Sequence, residues 1–188
     1  MTKPMQPWIG LFDLFRIGVG PSSSHTVGPM LAAAKFAAGL DPDVPIEHLR
    51  VDLFASLALT GMGHATDSAV ILGLTGARPE TVDPDDAALV VQEVRQLRRL
   101  TLPDGRRVPF DPARDIVFRP REAQPLHPNA LRITASSAGG DDIERTYYSV
   151  GGGFVVDENG SSLATSSTAP DVEVPHPFGQ RRGAVGAR

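Results

Sequence analysis

The twelve residues GVGPSSSHTVGP, positions 18–29, put Ser22, Ser23, Ser24, His25 and Thr26 where the chain is about to enter a helix. A helix start presents unpaired amides and the positive end of the macrodipole, and hydroxyls beside it add donors, so the stretch suits a carboxylate or a phosphate. The same residue types are the preferred N-caps of any helix. Taken alone, a capped Ser-rich turn is therefore the more ordinary reading. A phosphate loop is disfavoured, because the Gly-Lys-Ser/Thr ending is absent. A second stretch, TGMGHATD at 60–67, again leads small residues into a helix with His64 near its start. A neutral imidazole near pH 7 is what a general base requires, although one isolated histidine is more often a surface or capping residue. The third stretch is His127-Pro128-Asn129, and the fourth is SVGGGF at 149–154. Pro and Asn favour a turn in the third. In the fourth, three glycines permit positive φ or a close backbone approach.

Other chemistries find less support. None of the five histidines stands in a HExxH spacing, and the chain has no cysteine, so a metal site in this chain is not expected. The absence of cysteine also excludes a disulfide scaffold and any iron–sulfur cluster ligated by this chain's own thiolates. A Ser/His/Asp hydrolase lacks its G-x-S-x-G elbow. His48 and His176 have no supporting setting and are read as surface residues.

The elements that must position these residues follow from periodicity. A helix is expected from between Ser23 and Gly28 to about Ala38, with Pro29 in its first turn, where amides have no intrahelical partner. LRVDLFASL, 49–57, alternates like a strand, with Val51, Leu53, Ala55 and Leu57 on one face. A helix then begins near His64. Residues 84–99 carry apolar positions at helical spacing behind an Asp-Pro start. LTLPDGRRVPF reads as a hairpin about Pro103-Asp104-Gly105. RDIVF, LRITASS, IERTYYSV and FVVDE read as strands. WIGLFDLFRI, 8–17, is expected as a short strand or turn, and from Asn159 onward the Ser/Thr/Pro/Gly-rich sequence reads as a linker or tail. Helices and strands without a regular βαβα alternation predict an α+β fold: a mixed, mainly antiparallel sheet with packed helices.

The bulk composition agrees. In 188 residues, 41% hydrophobic and 21% charged, a packed core is expected. A net charge of −4 argues against a nucleic-acid partner. No apolar run approaches the ~20 residues of a membrane helix, and the N-terminus lacks an uninterrupted signal core. A cytoplasmic protein without a membrane partner is the expectation.

Taken together and in order, FDLFRIGVGPSSSHTVGPM, SLALTGMGHATDSAVILGLTG, HPNALRI and YYSVGGGFVVDE resemble the signatures of the N-terminal (beta) domain of iron–sulfur-dependent bacterial L-serine dehydratases, over about residues 9–158. The resemblance implies a lyase that converts L-serine to pyruvate and ammonia in the cytoplasm, feeding gluconeogenesis, with a homodimeric assembly. It implies a 4Fe–4S cluster bound by cysteines of a second, alpha domain or subunit, with no cofactor on this chain, which alone would be inactive. Ser22–Thr26, His64 and His127 match family positions that would face that domain. Ser22, Ser23 and Ser24 would hold the substrate carboxylate or shape the cleft, with Thr26 at the helix start. His25 would orient the loop. His64 is the first choice for proton transfer and His127 the second. The fold is also said to resemble the regulatory substrate-binding domain of some phosphoglycerate dehydrogenases, so a binding module for an amino acid or anion, without chemistry of its own, is the other reading. The sequence departs from the family where Met62 replaces a usual Lys and Ala65 a usual Gly. After VEVPHPF it reads GQRRGAVGAR, unlike the family, and residues 159–188 are expected to lead toward an alpha domain that this sequence lacks. A shortened product, a disrupted reading frame and a separate subunit are all compatible with that ending.

Overall fold

The structure, a computed structural model, describes residues 22–163 except 138, 139 and 141, with Met62 and Gly63 described through their backbone alone. The expected element at 8–17, the glycines Gly18 and Gly20, His176 and residues 164–188 lie outside the described residues.

Helix α1 (Val27–Ala38) begins the described fold, with Pro29 in its first turn. Strand β1 (Ile46–Phe54) follows. Its alternation places Leu49, Val51 and Leu53 in the main core with no solvent exposure. The expected strand over 49–57 ends early. Ala55–Thr60 is a short helix, α2, and a 3₁₀ turn, Gly61–His64, continues it. The period-2 match of Ala55 and Leu57 to the strand was fortuitous: both lie on α2, where Leu57 and its neighbour Ala58 are buried. The chain turns the corner at Ala55, which takes φ +40°.

Helix α3 (Thr66–Leu74) packs against α1. Helix α4 (Pro84–Leu97) is capped by Asp83, whose carboxylate accepts from the amides of Asp85 and Asp86. Strands β2 (Arg99–Thr101) and β3 (Arg107–Pro109) form the expected hairpin. A short helix α5 (Pro112–Asp115) leads to β4 (Ile116–Arg119), and β5 (Asn129–Ser137), β6 (Ile143–Gly151) and β7 (Phe154–Asp157) complete the main sheet. Its order is β4-β1-β5-β6-β7. Among the described residues, only β1 and β4 run parallel, and the other pairings in this sheet are antiparallel. This is the mixed, mainly antiparallel α+β architecture that the sequence implies. Beyond β7, Ser162 bridges back to Val156, and the Leu163 amide donates to the Val155 carbonyl at 2.8 Å.

One sheet face meets the helices. On the other, Phe54, Ala130 and Tyr148 form a small second cluster with the Arg132 guanidinium 5.4 Å from the Phe54 ring centroid. Asp52 is buried on that face between Arg50, 3.1 Å away, and Arg119, 2.7 Å away. Burial alone would raise its carboxyl; the hydrogen bonds of both guanidinium groups outweigh burial and hold it below the ordinary value of 3.8. A carboxyl lowered on folding contributes its stability in full above the unfolded value and loses it as pH falls through the folded one. Asp52→Asn should therefore lower unfolding free energy by about 2 kcal/mol near neutral pH. The gap to wild type should close in acid, below pH 3.8. Chemical denaturation across that range checks it, and a pH-independent gap would assign the loss to packing instead. His48 meets expectation in part. Its ring is part-exposed, as expected of a surface residue, but its Nε2 lies 3.1 Å from Oδ1 of buried Asp115, a hydrogen-bond partner that no motif signals.

Candidate functional site

The site forms at one end of the sheet. Antiparallel pairing aligns Phe54 with Ala130 and Ala130 with Tyr148, so the C-terminal ends of β1 and β6 lie beside the N-terminal end of β5. Of the next residues out, Asn129 and Ser149 come from two of the sequence stretches read above, and Ala55–Ser56 lead through α2 into a third. The fourth arrives on α1. A Cβ built on Gly28 would sit 2.0 Å from Ser149 Oγ, so the helix start touches β6 only because Gly28 has no side chain.

The Ser-rich stretch closes on itself before α1. The amides of His25 and Thr26 donate to the Ser22 carbonyl at 3.1 and 2.9 Å, and that of Gly28 to the Ser23 carbonyl at 2.9 Å. The Thr26 hydroxyl donates to the Ser22 carbonyl at 2.7 Å. Several donors that a bound anion would use are thus engaged internally. The Ser22 and Ser24 hydroxyls lie 3.2 and 3.0 Å from His25 Nδ1, and Ser56 Oγ lies 3.3 Å from its Nε2. Ser23 is exposed. The stretch holds a histidine as much as it offers a seat for an anion.

His25 and His64 come together, with ring centroids 5.1 Å apart and planes tilted by 33°. Burial first, and then the neighbouring His64, push the His25 imidazole below its ordinary value of 6.5, against a raising contribution from Ser56. His25 is therefore neutral at pH 7. His64 ends the 3₁₀ turn, and its Nδ1 lies 2.9 Å from the Thr60 carbonyl. A carbonyl only accepts, so Nδ1 carries the proton and Nε2 bears the lone pair in the neutral ring. His127 is the reverse: its Nδ1 accepts from the Asn129 amide at 3.1 Å, leaving the proton on Nε2. One histidine can take a proton at Nε2 and the other can donate from Nε2. The His127 turn joins the rest through its backbone, the Ser56 amide donating to the Pro128 carbonyl at 3.2 Å. Asn129 Nδ2 donates to the Ser149 carbonyl at 3.3 Å.

All four stretches are therefore linked, through the His25–His64 contact, the approach of Gly28 to Ser149 and the Asn129–Ser149 hydrogen bond, with Ser56 bridging His25 and the His127 turn. Neither Ser56 nor Asn129 is distinguishable as a site residue from spacing alone. Each is placed by a strand end that only sheet register brings to this corner. The buried atoms Thr66 Oγ1, Asn129 Oδ1 and Ser149 Oγ belong to these stretches and make no hydrogen bond, so polar capacity remains unused here. Three exposed apolar side chains stand in or next to these stretches: Leu59 at 70% exposure, Leu126 at 54% and Val150 at 43%. A separate groove of about 410 Å³ between α3 and α4, lined by Leu72, Val91 and Arg95 among others, includes none of the histidines.

The chain matches the family described as serine dehydratase beta chain over residues 10–160. It belongs to that family. It is 44% identical over 174 residues to the L-serine dehydratase TdcG of Escherichia coli, which covers 90% of this chain and 37% of that protein. It is 43% identical to the L-serine dehydratase of Streptomyces coelicolor, over 90% of this chain and 38% of the relative. With that of Mycobacterium tuberculosis it shares 45% identity over 81% of this chain and 34% of the relative. The chain thus spans little more than a third of the length of these dehydratases. Its residues do not fit an iron–sulfur cluster: there is no cysteine, and no three His, Asp or Glu side chains gather into a metal-binding group among the described residues. No helix among the described residues is long and apolar enough to cross a membrane.

Ala65 departs from the residue type that the family resemblance leads one to expect. It takes the left-handed conformation, φ 57° and ψ 33°, between the 3₁₀ turn and α3. That conformation costs a residue with a Cβ roughly 1–2 kcal/mol. Ala65→Gly should raise unfolding free energy by about 1 kcal/mol, read by urea denaturation, once the greater freedom of unfolded Gly is subtracted. A destabilised variant would mean that the Ala65 methyl packs usefully.

Proposed function

We propose that this chain is the beta part of an L-serine dehydratase and contributes the proton-handling side of an active site shared with a 4Fe–4S alpha part. The reaction removes the α-proton and β-hydroxyl of L-serine to give aminoacrylate, whose imine tautomer hydrolyses to pyruvate and ammonia. Loss of the hydroxyl belongs to the alpha part. The residues of this chain address the proton. His64, with its lone pair on Nε2, takes the α-proton, and His127, with a donor at Nε2, holds the carboxylate or the departing oxygen. His25, neutral beside His64, avoids a second positive charge next to the base. The serines of 22–24 hold His25 and line the approach. The opposite tautomers of His64 and His127 carry this reading, since each is set by a backbone partner rather than by choice of proton position. The same reading places the assembly in the cytoplasm as a homodimer serving gluconeogenesis, with residues up to 158 as the domain and 159–188 as the connection toward the alpha part.

The apolar rim supports docking of a second body at this corner. Leu59→Asp, which puts a charge where Leu59 is 70% exposed, should weaken assembly with an alpha domain at least ~10-fold by calorimetry. Unchanged affinity would place the interface elsewhere. The function itself is tested by mixing the chain with the cluster-loaded alpha domain of a dehydratase relative and following pyruvate from L-serine. Activity in the mixture, and in neither part alone, is the expected result. Silence, while the relative's own beta part restores activity, would overturn the reading. Saturable L-serine binding to the chain by itself would instead favour a sensing role.

A further inference from the structure

We infer that Ser56 is a positioning residue that holds the His25 imidazole in register with the His127 turn. Its role in turnover rests on the dehydratase reading above; its role in geometry does not. Ser56 uses two groups in two directions. Its amide donates to the Pro128 carbonyl at 3.2 Å, and its hydroxyl lies 3.3 Å from His25 Nε2. Its own backbone is held in turn, because the preceding Ala55 takes φ +40° and donates its amide to the Glu122 carbonyl at 3.1 Å. A non-glycine residue at positive φ persists only where the surroundings over-determine it, so the Ser56 hydroxyl is carried on fixed backbone. Three segments distant in sequence, 22–26, 56–64 and 127–129, meet at this one residue, through its hydroxyl and its amide.

The partner chemistry is specific. Hydroxyls from Ser22 and Ser24 face one ring nitrogen of His25 and that of Ser56 faces the other. A hydroxyl both donates and accepts, so three of them hold the ring plane without imposing a tautomer or a charge. A carboxylate in the place of Ser56 would favour the imidazolium and set a positive charge against His64, whose ring is 5.1 Å away. A hydroxyl fixes orientation and leaves the ring neutral. Removing it leaves the amide link, and with it the turn, intact, and frees only Nε2.

Imidazole ¹⁵N–¹H correlation spectra of the 188-residue chain test this without partner or substrate. In Ser56→Ala, the His25 and His64 ring signals should move and the His25 titration midpoint should shift. The His48 signals should stay, and Ser56→Thr should restore the originals. In the reconstituted enzyme, Ser56→Ala should lose about tenfold in kcat with KM within twofold, as expected for lost orientation. Ring signals of Ser56→Ala superimposing on wild type would overturn the assignment, and so would lost turnover without ring shifts. If Ser56→Ala does not fold, Ser56→Cys keeps the volume, weakens the hydrogen bond and carries the same comparison. A wild-type mixture that makes no pyruvate would sink the dehydratase reading, while the ring spectra would still decide Ser56.

Discussion

Replacing His64 by alanine should cut L-serine turnover in the reconstituted enzyme by at least ~100-fold, the lower range for a lost general base. The α-proton of an amino acid is weakly acidic, and a base must be both unprotonated and correctly aimed to remove it. The Thr60 carbonyl, 2.9 Å from Nδ1, supplies the aim by keeping the proton on that nitrogen. Neighbouring His25, depressed by burial and by His64, adds no competing charge at neutral pH. The loss should appear in kcat, with binding of the alpha part unchanged, because His64 is partly exposed and its removal leaves no buried group orphaned. Turnover within twofold of wild type would remove His64 from the mechanism. Lost turnover with equally lost assembly would make it an interface residue instead.

The second large effect concerns packing. Gly73→Ala should lower unfolding free energy by about 3 kcal/mol, the upper part of the range for overpacking. A methyl in mid-helix ordinarily helps by roughly 0.5–1 kcal/mol. Here a Cβ would sit 2.2 Å from the Met30 carbonyl oxygen and 2.7 Å from Ala33 Cβ. The first obstacle is backbone and cannot rotate away, so α1 and α3 must separate. Differential scanning calorimetry should show a midpoint lowered by roughly 6–12 °C for a domain of this size. An unchanged or raised midpoint would show that the two helices slide apart freely. The change also reaches the site, because α1 follows the loop of His25 and α3 follows the turn of His64. Their ring contact at 5.1 Å is set by how closely these helices approach.

Much of this was readable before any coordinates. The polar helix starts, the hairpin about Gly105 and five of the strands stand in the sequence as local patterns, because turn chemistry and period-2 burial act over a few residues. The family likewise follows from ordered motifs, and with it the expectation that His25, His64 and His127 belong to one site. The missing cysteines alone decide that this chain holds no thiolate-ligated cluster.

What the sequence could not decide is where one local pattern yields to another and which distant groups meet. Val51, Leu53, Ala55 and Leu57 alternate as a strand would, yet the strand stops at Phe54, where the chain turns at Ala55 (φ +40°) into a helix that carries Leu57. His48 stands in no motif, and its partner Asp115 is 67 residues away. Ser56 and Asn129 matter because sheet register carries three strand ends to one corner. The tautomers of His64 and His127 depend on a carbonyl and an amide whose directions are set by local backbone geometry. Residue types and short spacings determine which groups are available. Register, helix approach and backbone direction, which are properties of the packed whole, decide what those groups face.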